Sequence, residues 1–192
     1  MIRSTRAATA AVLILAATAA ILFLMGRPPI CTCGEIELWV NAANSSRTSQ
    51  MLADWYSPSH VIHGVLFFAV LWLVARKMPL ERRFLIALVV EVAWELVENS
   101  PWAINRYRHE TIATGYTGDS IINTMSDILM MAFGFWLARK LPVRTSVLLV
   151  IALELAALVM VRDGLTLNVW MFLWPNAAVR AWQSGGPLWP FH

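Results

Sequence analysis

Long apolar runs alternate with short polar stretches along the chain, and five of the runs read as membrane helices. A spanning helix needs about 20 predominantly apolar residues, within a range of about 17–25. The pattern predicts helices at about 7–25, 58–75, 84–98, 119–138 and 143–161. The first follows Arg3 and Arg6 and starts like a secretory signal. Its apolar run is too long for one, and no small-residue cleavage site precedes Arg27-Pro28-Pro29, so it is expected to stay as an anchor. Residues 26–57 read as loop with short turns. Pro58 is tolerated in the first turn of the second helix, and Ser100-Pro101 stops the third. A polar loop is then expected up to Gly118. The apolar stretch from Leu165 to Trp174 is too short to span, and Gln183-Ser184-Gly185-Gly186-Pro187 reads as an irregular tail. The expected fold is all-α, one integral membrane domain over 1–192. It is a polytopic transmembrane helical bundle of about five spanning helices plus a short C-terminal interfacial or re-entrant segment.

Composition agrees with this. The chain is 58% hydrophobic and 14% charged, whereas soluble domains run near half apolar and about a quarter charged. Ten Trp in 192 residues suit anchoring at the headgroup level. The net charge of +3 does not point to nucleic acid, because Arg and Lys are scattered in small groups between apolar runs. Two tight loops set the orientation: Arg76-Lys77 with Arg82-Arg83, and Arg139-Lys140 with Arg144. Positive charge in short loops marks the cytoplasmic side. The chain is therefore expected in a bacterial inner membrane, N-terminus cytoplasmic and C-terminus periplasmic, with the lipid bilayer as its first partner. Cys31 and Cys33 form a lone C-x-C with no second pair to complete a zinc site. A disulfide, weak soft-metal binding and neither all remain open for them. A ring so short would remove little unfolded-state entropy.

The informative residues are polar ones inside the helices. His60 and His63 are three apart and share a face of the second helix. Glu91, Glu95 and Glu98 form one stripe on the third, and Asp119, Asn123 and Asp127 form one on the fourth, continuing through Gly134. Alternating topology brings the start of the second helix, the end of the third and the start of the fourth to the same membrane face. One inward-looking cluster follows. Each charge in a spanning helix costs about 2.5–3.5 kcal/mol at the centre on insertion scales, so a cation, a His⁺, an Arg or protons must offset the acids.

His60, Glu95, Glu98 and Asp119 are the candidate acid–base residues. Arg106, Arg108, Asn123 and Asp127 are candidates for substrate binding, with the two Arg placed either to take a lipid phosphate or to pair with Glu98 and Asp119. His60, His63, Glu95 and Asp119 are the candidate metal ligands, suited to zinc, iron or manganese. Neither the Glu-x-x-His pair of di-iron bundles nor His-Glu-x-x-His occurs. Asp54 is placed to reach the cluster from above and Glu154 from the fifth helix, while His109 and His192 read as loop residues.

Several segments carry a resemblance: Pro29-Ile30-Cys31-Thr32-Cys33-Gly34, Asp54-Trp55-Tyr56-Ser57-Pro58-Ser59-His60, Trp94-Glu95-Leu96-Val97-Glu98-Asn99-Ser100-Pro101, Gly118-Asp119-Ser120 and Arg162-Asp163-Gly164-Leu165-Thr166-Leu167-Asn168. The chain resembles an uncharacterised family of alphaproteobacterial multi-pass inner-membrane proteins, a domain of unknown function, which implies location but no reaction. More loosely, the series Asp54, His60, Glu95, Arg106, Asp119, Asn123, Asp127 and Gly134 is similar to the VanZ-like membrane proteins.

Two functions fit these observations. One is an enzyme or metal site near the periplasmic face, acting on a lipid or envelope precursor. The other is a non-catalytic membrane assembly or scaffold factor whose polar stripes hold helices together. The number of acids favours the first, and the absence of a recognised catalytic motif favours the second.

Overall fold

The computed structural model describes residues 5–42, 44–185 and 188. Arg3, His192 and the Gly186-Pro187 part of the expected tail lie outside them. The described residues fold into eight helices without strands: α1 (Thr5–Leu24), α2 (Ser57–Val74), α3 (Leu80–Glu98), α4 (Pro101–Glu110), α5 (Ile121–Lys140), α6 (Val143–Val161), α7 (Leu165–Leu173) and α8 (Ala177–Gln183). Four of them, α1, α2, α5 and α6, are long and apolar enough to cross a membrane. At 19 residues, α3 matches them in length. Its Glu81, Arg82, Arg83 and three further acids set it apart in composition. It begins earlier than its hydropathy predicts because Pro79 fixes the entry and Leu80-Glu81-Arg82-Arg83 are good helix formers.

The central contact joins α2 to α5. A Cβ added to Gly64 would sit 2.0 Å from the Met131 carbonyl oxygen, and one added to Gly134 would sit 2.1 Å from that of Val61. Backbone therefore lies on backbone, as small residues permit between membrane helices. Farther along the same helix faces, Phe84, Ala87 and Leu88 of α3 pack with Ile128, Met131 and Phe135 of α5, and Ala11, Ile14 and Leu15 of α1 close over them. Tyr107 of α4 meets Phe172 of α7 with ring centroids 4.9 Å apart.

Two expectations need correction, and the alternatives open for Cys31 and Cys33 reduce to one. The stretch after Ser100-Pro101 is not all loop: Ser100 caps α4 by accepting from the Ala103 N–H, and Pro101 occupies its first turn. The same two residues that stop α3 start α4. His109 accordingly sits on the exposed face of α4. The irregular tail starts at Ser184 and not at Gln183, because Asn176 caps the short α8, which ends at Gln183. Cys31 and Cys33 are joined in a disulfide, and the buried Cys31 packs against Val40 and Met51.

The loops hold the helix ends in register. The first N–H groups of α5 donate to the carbonyls of Pro28 (2.8 Å) and Pro29 (3.1 Å). Ser120 accepts from the Asn123 N–H and donates to the Gln50 carbonyl. The Glu154 carboxylate accepts from the Leu165 and Thr166 N–H groups, so it caps α7 from within α6 and does not join the cluster. That contact draws the start of α7 back along α6, consistent with a short segment that does not span.

Candidate functional site

One end of the α2–α3–α5 bundle carries the cluster. His60 sits in the first turn of α2, behind Pro58, and Glu91 and Glu95 face it from consecutive turns of α3. The Nδ1 of His60 lies 2.6 Å from Glu91 Oε1 and 3.4 Å from Glu95 Oε1, and its Nε2 lies 3.8 Å from Asp127 Oδ2. His63 Nδ1 is 3.0 Å from Glu91 Oε2. A carboxylate only accepts, so Glu91 holds the Nδ1–H of both rings and turns the other nitrogen of His60 toward Asp127. Glu91 and Glu95 are fully buried, at 0% and 1% exposure. Glu95 Oε1 has no hydrogen-bond partner among the described residues, because Glu91 has taken the nearer His60 proton.

The acids continue toward the loops. Asp119 accepts from the Asn99 amide at 2.6 Å and from the Tyr116 hydroxyl at 3.0 Å. Asp127 accepts from Ser57 at 3.0 Å. Asp54 accepts from the Ser49 and Tyr56 N–H groups, both at 2.7 Å. Burial pushes Asp119 up to about 6 against the pull of its two donors, and it also raises Asp54. The Tyr107 phenol is pushed well above its ordinary value, first by burial and then by the Glu98 carboxylate beside it.

Three sets of side chains bring ligand atoms within 4.8 Å of one another: His60, His63 and Glu91; His60, Glu95 and Asp127; Glu95, Glu98 and Asp119. The four expected acid–base residues are thus brought together, with Glu95 common to two sets. A cavity of about 60 Å³ opens on them, and Asp54, Glu98, Asp119 and Asp127 line it with His60 and His63. Tyr56, Trp94, Tyr107 and Tyr116 supply its aromatic wall, and no Lys or Arg is among the described residues that line it.

The other candidates lie elsewhere. Arg106 donates to the Phe172 and Leu173 carbonyls, fastening α4 to α7. Arg108 donates to the Tyr116 carbonyl, so neither Arg lines the cavity or pairs with Glu98 or Asp119. Asn123 donates to the Met51 carbonyl and holds the loop rather than the cavity.

Sequence reasoning placed Glu91 on the acidic stripe but missed it as the partner of both His, although its i+4 spacing to Glu95 was the available signal. It missed Tyr107 and Tyr116 altogether and took Tyr56 only as a neighbour of Asp54. Only Tyr56, two residues after Asp54, stood near anything that could have pointed to it.

The chain is similar to a UPF0314 protein of Paracoccus denitrificans (strain Pd 1222), 55% identical over 163 residues that cover 85% of this chain and 84% of the relative. A UPF0314 protein of Rhizobium meliloti (strain 1021) is 54% identical over 162 residues, 84% of this chain and 82% of the relative. One of Novosphingobium aromaticivorans (strain ATCC 700278 / DSM 12444 / CCUG 56034 / CIP 105152 / NBRC 16084 / F199) is 48% identical over 171 residues, 86% of each. No solved structure matches the chain. The family model described as "Protein of unknown function (DUF2585)" matches residues 22–185, and on these grounds the chain belongs to the DUF2585 family.

Proposed function

We propose that this is a multi-pass inner-membrane protein whose cluster is a divalent-cation centre near the periplasmic face, serving an enzyme that acts on a lipid or envelope precursor. The carrying observation is the charge balance: Asp54, Glu98, Asp119 and Asp127 line a cavity with His60 and His63, Glu91 and Glu95 stand against the same imidazole of His60, and no Lys or Arg is among the described residues that line the cavity. Two charges 4.8 Å apart repel by roughly 3 kcal/mol at an effective dielectric of about 20. A divalent cation offsets several such terms at once, and the free Glu95 oxygen is a ligand without another partner. His60 Nε2, Glu95 and Asp127 are the first candidate ligands. Glu91 acts behind His60, as carboxylates do behind metal-bound histidines. Imidazole and carboxylate donors suit zinc, iron or manganese, and such an ion would supply Lewis acidity.

Elemental analysis of protein purified without chelator tests this. We expect about one equivalent or more of a transition metal in the wild-type chain, and loss of most of it in Glu95→Gln. Metal-free wild-type protein that gains nothing on dialysis against zinc, iron or manganese would end the cation reading and leave the scaffold role.

The orientation belongs to the same proposal. We place α3 as a fifth crossing, the N-terminus in the cytoplasm and the C-terminus in the periplasm, because the short 75–79 and 141–142 connections carry or adjoin the basic groups. Topology reporters inserted in 75–79 and 141–142 should read cytoplasmic, and one inserted in 111–118 periplasmic. A cytoplasmic signal from 111–118 would reverse the assignment and turn the site inward.

A further inference from the structure

On the loop side of the cluster a larger cavity of about 730 Å³ opens among the α1–α2 and α4–α5 loops. It adjoins the first, because Ser49, Tyr56, Ala113 and Tyr116 belong to both walls. Its character is the opposite. Arg27 is the only charged residue among its described lining, and hydroxyls of Ser46, Thr32, Thr114 and Thr117 stand around it.

We propose that this vestibule holds the phosphate of a phosphorylated headgroup, with Arg27 as the phosphate-binding residue; the inference rests on the cation reading of the neighbouring cluster. Arg27 donates one Nη1 hydrogen to the Thr117 carbonyl, while its buried Nε has no hydrogen-bond partner among the described residues. A guanidinium N–H turned away from water and left unpaired is costly, and the planar fork of Arg matches phosphate oxygens. The seat is built for it. Gly118 has φ +89°, a conformation that favours glycine, and the Arg27 guanidinium lies over it where a side chain would otherwise stand.

The next residue is Asp119, whose carboxylate belongs to the cluster. Gly118, against which the guanidinium lies, is thus the sequence neighbour of one member of the cluster. Alone, those acids repel a phosphate. A cation among them removes that repulsion, so the two ligands strengthen each other by the same factor. The ligand class is a phosphomonoester, drawn either from a membrane lipid or from a soluble molecule.

The test is isothermal titration of the full detergent-purified chain with sn-glycerol 3-phosphate, with and without Zn²⁺. Wild type should bind, and more tightly with Zn²⁺. Arg27→Gln should weaken binding by roughly tenfold to a hundredfold, since hydrogen bonds to charged groups contribute about 1.5–3 kcal/mol. Arg27→Lys, which keeps charge but loses the fork, should fall between them and carries the test if the Gln variant does not fold. Zinc content and melting temperature of each variant are measured alongside. No binding to wild type, or unchanged affinity in a folded Arg27→Gln, overturns the proposal. Zinc retained without phosphate binding defeats the vestibule alone. Arg27-dependent phosphate binding in protein that takes no zinc defeats the cation centre alone. Repeating the titration in phosphatidylcholine nanodiscs, with and without phosphatidic acid, identifies the source: competition by phosphatidic acid marks a lipid, and its absence a soluble phosphomonoester.

Discussion

Gly64→Ala and Gly134→Ala are each expected to lower stability by about 3 kcal/mol or more, the upper range of overpacking. A single methyl at Gly64 meets the Met131 carbonyl and the Phe135 nitrogen, and one at Gly134 meets Val61. All of these are backbone atoms, so no rotamer change relieves the contact and the helices must part. Parting α2 from α5 separates His60 from Asp127, so cation binding should fall with stability. For a domain of this size the loss corresponds to roughly 6–12 °C in melting temperature. Differential scanning fluorimetry in detergent reads it. Gly115→Ala, where nothing lies within 4 Å of the added atom, is the control and should stay within about 0.5 kcal/mol. Equal melting temperatures for all three variants would mean that the close α2–α5 approach is not what holds the bundle.

Glu91→Ala and Glu95→Gln should move stability in opposite directions. Glu91 accepts from both imidazoles at 0% exposure, and removing one member of a buried pair typically costs about 3–5 kcal/mol. Glu95 has an oxygen without a hydrogen-bond partner and lies among Glu98, Asp119 and Asp127. Replacing it with neutral Gln removes repulsion. Chelator-treated Glu95→Gln should therefore be as stable as wild type or more so, while Glu91→Ala melts well below it. The contrast separates the residue that builds the site from the one that does its chemistry. If the metal-free Gln variant were the less stable of the two, the roles of the two acids would be reversed.

Helical period and alternating topology made much of this site legible. They put His60, His63, the Glu stripe and the Asp119-Asn123-Asp127 stripe at one end of the bundle, because one face per helix and one depth per helix end leave few other arrangements. They could not say which acid meets which base. Glu91 and Glu95 occupy the same stripe one turn apart, and the depth of α2 against α3 is set by Gly64, Gly134 and the Phe84–Phe135 packing. Loop contributions were the least legible. Asp54 was placed near the cluster because it adjoins α2. Tyr107 was hidden because Ser100-Pro101 reads equally well as a stop and as a start. Arg106 and Arg108 looked free to reach inward, but carbonyls at the end of α7 and in the α4–α5 loop, which no hydropathy pattern marks, take their donors.

The order of the helices along the chain matters for how the site comes into being. Synthesis runs from the N-terminus, so α2 with its two histidines leaves the ribosome before α3, and α3 before Asp119 and Asp127. An acid entering hydrocarbon without a partner is expensive. Here each acidic segment arrives at a membrane that already contains the imidazoles able to receive it, whereas the reverse order would leave carboxylates waiting in lipid. The last wall residues, Leu165 and Asn168, come from α7. The cavity therefore closes only once α7 has been made, and a chain inserted as far as α5 holds the charges of the centre without its enclosure.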